Sequence, residues 1–268
     1  MTRTCASSLT ARSLRTSTGR FRSRTAGPRL SLRFGRPCSG VRMPDFSSEI
    51  TVKHIDSMGD DARIASAARV STKGLDGDGG KVAGLVRALM REGHTSPFEH
   101  CVMTVSVEAP IFVAREWMRH RTQSYSEISA RYTTLQPKFY RPNEDRPIVQ
   151  TGKALDYHRE EGTIRQVVVT EHRHKWTEEE AWKNYESMLS EGVANEVARN
   201  VLPVSVYTQF WATANLGNWF KFLTLRDAPN ALFEIRQAAQ QVDALIEGLW
   251  PIAHGAYRRQ REVRSIQE

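Results

Sequence analysis

Cysteine is scarce: Cys5, Cys38 and Cys101 are the only three in 268 residues, and the first two lie in an N-terminal stretch of skewed composition. One thiol in the rest of the chain supports neither a disulfide framework nor a cysteine-based metal centre. Long apolar runs are missing too; none approaches the ~18 residues that span a bilayer, so no membrane segment is expected. The first 44 residues lack Lys, Asp and Glu altogether, yet hold ten Arg and seven Ser. Removing those ten cations leaves 28 basic against 30 acidic residues, so residues 45–268 carry a formal charge of −2 and the chain's +8 belongs to the leader. A nucleic-acid-binding surface should sit in the folded body, whose slightly acidic balance argues against that class of partner.

The leader reads either as an acid-free organellar transit peptide or as an extension upstream of a start at Met43. Its weak amphipathic pattern favours the second. Residues 45–268 suffice for a single domain with its own core. The expected location is cytoplasmic, or organellar if the leader is a true transit peptide.

Hydrophobic periodicity lays strands and helices along the body. Residues 50–55 alternate as a strand, 60–70 form an Ala-rich amphipathic helix, and 82–91 carry Leu85, Val86, Leu89 and Met90 on one face. Between the helices, residues 74–81 are glycine-rich, but Val82 follows Gly80-Lys81 where a phosphate loop needs Ser or Thr, so a surface loop is expected. Residues 93–100 read as a turn opening into a strand, and the spacing of His94, Glu99 and His100 fits no metal pair. Cys101, Met103, Val105 and Val107 make one face of an antiparallel strand wholly apolar. Pro110 then suits the first turn of a helix leading into the Arg-rich residues 115–132.

Further on, 133–146 is a loop and 151–192 is helical, with Trp176, Ala181, Trp182, Tyr185, Met188 and Leu189 as a core stripe and His158, His172 and His174 on the surface. Residues 195–203 form a short helix stopped by Pro203, 204–212 a strand, and 231–255 one long amphipathic helix. This is an α+β pattern, an antiparallel sheet flanked by helices.

The chemistry concentrates in residues 115–132, which hold four Arg, one His, two Glu and three Ser. On a helix Arg115 and Arg119 share a face, as do Glu116 and His120. Arg119, His120 and Arg121 are consecutive and diverge, which suits a large anionic ligand, since Arg presents a planar fork of donors matched to phosphate. A solvated helix face is the bland alternative. Trp117, Met118, Tyr125 and Ile128 interrupt the charges, however, and partial burial of so many cations calls for anionic partners.

Arg119-His120-Arg121, followed at fixed spacing by Ser124, Glu127, Ser129, Arg131 and Tyr132, resembles the signature of flavin-dependent thymidylate synthases, with Ser126 where the signature has Asn. Similar likeness extends to residues 94–100, to Glu196–Pro203 around Arg199, and to the segment from Asn215 to Arg226. The resemblance implies the fold of that family and reductive methylation of dUMP to dTMP, with methylenetetrahydrofolate as carbon donor and NADPH as reductant through FAD. It implies a homotetramer with shared active sites, while the spacing of His94, Glu99 and His100 leaves no metal expected.

By position it gives the flavin to His94, Ser96, Arg119, His120, Arg121, Glu127 and Asn215. The nucleotide falls to Glu116, Trp117, Met118, Arg119, Glu127, Ser129, Ala130, Arg131, Arg199 and Arg226. Arg226 and Ser129 are the catalytic candidates, Ser129 as a contact rather than a nucleophile because no base is evident to activate it. Gly217, Lys221 and Asn230 stand where some members carry Arg, Asn and His facing the flavin. Those departures keep open a catalytically inactive relative that binds nucleotide or flavin.

Overall fold

A computed structural model describes residues 42–73, 81–153 and 156–267. The leader up to residue 41 and the glycine-rich residues 74–80 lie outside these. In chain order the elements are β1 (Asp45–Ser47), β2 (Thr51–Met58), α1 (Asp61–Lys73), α2 (Val82–Arg91), a 3-10 turn (Ser96–His100), β3 (Val102–Pro110), α3 (Ile111–Trp117), β4 (Ser124–Glu127) and β5 (Lys138–Tyr140). There follow β6 (Val149–Lys153), β7 (Asp156–Glu160), α4 (Ile164–Ser190), α5 (Asn195–Ala198), a second 3-10 turn (Arg199–Val201), β8 (Tyr207–Asn215), α6 (Leu216–Arg226), α7 (Phe233–Leu249) and α8 (Pro251–Gln267).

The central sheet runs β2-β3-β8-β4, antiparallel throughout. β3 and β8 pair along their full length, from Val102 opposite Asn215 to Pro110 opposite Tyr207. The alternation expected of β3 fixes this register: Met103, Val105 and Val107 are buried together with Phe210, Ala212 and Ala214 of β8. Onto that face pack Ile64 of α1, Val86 of α2, Trp219 and Phe222 of α6, Ile235 and Val242 of α7, and Ala253 of α8. A smaller core gathers Trp182 and Tyr185 of α4 against Phe139 and Val206. The opposite face of the sheet is open, with Trp211 52% exposed and a Thr104–Thr213 hydroxyl pair at 2.9 Å.

Gly59 shows what one tight crossing requires. Its φ is +84°, and a Cβ there would lie 2.8 Å from the sulfur of Cys101. The fully buried Trp250 donates its Nε1–H to the Gly59 carbonyl at 3.0 Å. Burial pushes the Cys101 thiol up to about 11, which makes it an inert core group. Among the described residues no helix is long and apolar enough to cross a membrane, and no cluster of three or more His, Cys, Asp or Glu could hold a metal.

The α+β architecture is as the sequence implies, but several boundaries differ. Residues 96–100 form a 3-10 turn rather than entering a strand, because Pro97 and Phe98 are buried and pin it to the core. The motif helix stops at Trp117, so Arg119, His120 and Arg121 lie on a turn. The expected helix from 151 begins only at Ile164, where Thr163 and Gln166 form a capping box; a β6–β7 hairpin with Gly152 at φ +91° precedes it. β5 interrupts the expected loop, and β8 runs three residues later than the expected strand. The final helix is two helices, broken at Trp250, which Pro251 holds out of helical geometry at φ −136°, ψ 65°.

Candidate active site

Arg226, the last residue of α6, reaches back to the end of α3. Its Nε donates to Nε2 of His120 at 2.9 Å, one terminal nitrogen donates to the Glu116 carboxylate at 2.5 Å, and the other donates to the Glu116 carbonyl at 3.3 Å. Each terminal nitrogen therefore keeps one N–H for a ligand. The Glu116–Arg226 pair is only partly exposed and forms one wall of a cavity of about 600 Å³. Arg146, Gln150, Arg159 and Asn230 supply its other polar side chains, among apolar residues such as Ile148, Leu225 and Leu232.

Local hydrogen bonds shape the turn that carries His120. The Trp117 indole donates to Gln123 Oε1 at 2.9 Å, and the Tyr125 hydroxyl stands 2.9 Å from the His120 carbonyl and 3.2 Å from that of Trp117. Burial, the larger cause, with Arg226 opposing it, raises the Tyr125 hydroxyl to about 12, so it remains a donor. The His120 ring meets the Phe222 ring edge-on at 4.9 Å. Burial first, and the Arg226 guanidinium second, push the imidazole down to about 4. Above that pH His120 is neutral, with its proton on Nδ1, since Nε2 accepts from Arg226.

Because the folded state holds this proton less tightly than an unfolded imidazole near 6.5, protonation favours unfolding. The contribution of His120 to stability is complete above about 6.5 and is lost as pH falls toward 4. An NMR titration of His120 should show its midpoint near 4; an ordinary midpoint near 6.5 would mean that the ring is neither buried nor held against Arg226 in solution.

The other residues singled out by sequence fall in three further places. Trp117 is wholly buried, with its ring 4.5 Å from Phe222 and 5.5 Å from Phe210, so its indole is core and not a ligand surface. Met118 is partly buried beside it. Glu127 accepts from the Thr208 hydroxyl at 2.6 Å and lines a different cleft, of about 620 Å³, over the open sheet face. Just beyond, Ser129 Oγ accepts the Arg131 backbone N–H at 3.3 Å, Ala130 is buried, and Arg131 pairs with Glu196 at 3.2 Å. Arg199 is half-buried on the second 3-10 turn.

His94, Gly217 and Lys221 share a groove of about 190 Å³ beside α6. Asn215 caps that helix, accepting the Asn218 N–H at 2.9 Å, and the turn holding Ser96 joins it through Leu216 N–H to Cys101 O at 2.8 Å. A Cβ on Gly217 would come no nearer than 3.6 Å to any neighbour, so nothing in the chain itself demands glycine there. Among the described residues the side chains of Arg115, Arg119 and Arg121 make no hydrogen bond or ion pair, and all three are exposed. Sequence patterns single out neither Gln123 and Tyr125, which build the turn, nor the Gln150 and Arg159 walls. Gln123 and Tyr125 lie inside the motif at positions it leaves open, whereas nothing in the local sequence marks Gln150 and Arg159.

A model of the family described as thymidylate synthase complementing protein matches residues 53–252. A flavin-dependent thymidylate synthase from Tropheryma whipplei (strain TW08/27) is 40% identical over 235 residues, covering 83% of this chain and 98% of the relative. The chain belongs to the flavin-dependent thymidylate synthase family. Another member, from Thermus thermophilus, is 43% identical over 210 residues, 77% of this chain and 74% of that protein. Among solved structures, the UMP/dUMP methylase PolB of Streptomyces cacaoi bound with 5-Br UMP superposes with a TM-score of 0.75 at 39% identity, covering 81% of this chain and 97% of that one. Its complex with 5-Br dUMP gives 0.74 at 40%, covering 80% and 97%. Within the family frame, then, the Glu116–His120–Arg226 cluster lies well inside the matched residues.

Proposed function

We propose that the chain methylates dUMP at C5 to give dTMP, with methylenetetrahydrofolate as carbon donor, NADPH as reductant and FAD as bound cofactor. The observation that carries this reading is Arg226, held by Glu116 and His120 at the wall of a cavity within the ~300–1,000 Å³ range of small-molecule sites. Its two remaining N–H groups suit a uracil carbonyl on which negative charge develops. Neutral His120 fixes the guanidinium plane without adding a second cation, and Glu116 offsets the charge while no substrate is present.

The residues present fit a flavin dinucleotide. Arg119 and Arg121 are exposed cations without protein partners among the described residues, as an anionic pyrophosphate requires, and His120 stands between them. His94 lines the groove at Gly217, and Asn215 Oδ1 lies 3.6 Å from where a Cβ on that glycine would stand. When bound, the flavin carries hydride equivalents from the reduced nicotinamide toward the substrate. Arg131, Arg199, Ser129 and Glu127 go to the nucleotide. Ser129 acts by contact, since its Oγ accepts a backbone N–H and, among the described residues, hydrogen-bonds to no base.

Glu127 and Arg226 line separate cavities, which supports a site whose groups come from more than one copy of the chain. The open sheet face, with Trp211 and Ile128 exposed at its cleft, supports a homotetramer that covers it. dUMP tritiated at C5 tests the reaction: replacing that hydrogen by a methyl group releases tritium to water. Release should require the folate and FAD, and a folded protein that releases none would contradict the proposal. Because the two solved neighbours are UMP/dUMP methylases, UMP is the second substrate to offer.

A further inference from the structure

The β6–β7 hairpin pairs with no other strand among the described residues, yet it faces the most reactive corner of the chain. Gln150 and Arg159 stand directly opposite one another in its register. Side chains of such cross-strand neighbours share one face of the ribbon, and both line the cavity whose far wall is Glu116 and Arg226.

The hairpin is held in place at its base. Arg146 donates to the buried Glu234 carboxylate at 2.8 Å, the Tyr140 hydroxyl donates to the same oxygen at 2.6 Å, and Arg159 donates to the Asn230 carbonyl at 3.3 Å. At the same end Ile148 fills the space against Gly162, where a Cβ would lie 2.5 Å from the isoleucine side chain. Donors cluster on this side of the cavity. Arg146 is paired with Glu234 and Arg226 with Glu116, while the Arg159 guanidinium and the Gln150 amide beside it present N–H donors on the cavity wall.

We propose that Gln150 and Arg159 form an oxyanion subsite that seats the anionic end of a co-substrate while its reactive end lies toward Arg226. This rests on the dUMP-methylating reading, which requires two co-substrates besides the nucleotide, and both carry such groups: phosphates on the dinucleotide reductant, carboxylates on the folate. Guanidinium and amide donors serve either, and a charge-assisted hydrogen bond of this kind is worth about 10- to 100-fold in affinity.

Arg159→Ala and Gln150→Ala in the full chain test it, with KM taken separately for NADPH, methylenetetrahydrofolate and dUMP, and with equilibrium binding of NADPH and of tetrahydrofolate measured by fluorescence without turnover. Arg159→Ala should weaken one of the two co-substrates about 10-fold or more in both KM and binding, with kcat at saturation falling far less. Arg159→Lys should recover part of the loss. Which co-substrate responds identifies the oxyanion as phosphate or carboxylate. Lys153→Ala, on the same hairpin but not on the cavity wall, should leave both unchanged. Equal affinities for both co-substrates in wild type and Arg159→Ala would overturn the subsite, as would a loss confined to dUMP. Wild-type protein that makes no dTMP would overturn the reaction instead, and the binding titrations would still decide the subsite.

Discussion

Replacing Arg226 by alanine is expected to lower kcat/KM for dUMP by about 100-fold or more, the ~3 kcal/mol scale of one preorganised donor removed from a developing negative charge. The loss should exceed that of an ordinary binding contact for two reasons visible in the structure. The guanidinium is fixed by three hydrogen bonds to Glu116 and His120, so it is positioned before any ligand arrives. Its removal also leaves the Glu116 carboxylate facing the cavity without its cation, which repels an anionic nucleotide and any charge that develops on the ring. Arg226→Lys keeps the charge but loses the fork, and it should recover only a small part of the activity. Steady-state kinetics of dTMP formation checks both variants; near-wild-type turnover in Arg226→Ala would remove Arg226 from the chemistry.

The second large effect falls on folding. Trp117→Ala is expected to cost ~3–5 kcal/mol of stability, because it empties a site packed by Phe210, Trp219 and Phe222 and strips Gln123 of a buried donor. For a domain of this size that is a fall of roughly 10 °C in Tm, readable by thermal unfolding. The residue lies within the motif, yet its part is to hold the turn that presents Arg119, His120 and Arg121. A variant that unfolds at the wild-type temperature but fails to bind dUMP would reverse that assignment and return Trp117 to the nucleotide.

These two residues also show how far sequence carries. Alternation at Met103, Val105 and Val107 locates the central strand and its buried face, because in a half-covered sheet burial alone dictates the pattern. The Arg226–His120 bond spans 106 residues, and no periodicity could place it; the likeness of the motifs names both partners without saying that they touch. The end of α3 is illegible for a similar reason. Residues 118–123 have side chains that a helix would accept, and it is the Tyr125 hydroxyl and the Trp117 indole that close them into a turn.

The hairpin offers less still. Val149 to Lys153 has no apolar alternation, since the strand is largely exposed and, among the described residues, pairs only with β7 rather than packing on the core. Pro251 is the one break that a local rule could have found. The apolar stripe continues from Leu249 through Trp250 to Ile252, and hydrophobic periodicity masks a backbone that cannot continue.

The most direct test of the proposed reaction is conversion of dUMP by the purified full chain with methylenetetrahydrofolate and NADPH, in the presence and absence of added FAD, with UMP in a parallel reaction. dTMP is expected from dUMP, at a rate that rises with flavin occupancy. Folded protein that binds FAD and dUMP yet forms no methylated nucleotide would contradict it, and would mark the chain as a binding relative that has kept the Glu116–His120–Arg226 cluster without the reaction.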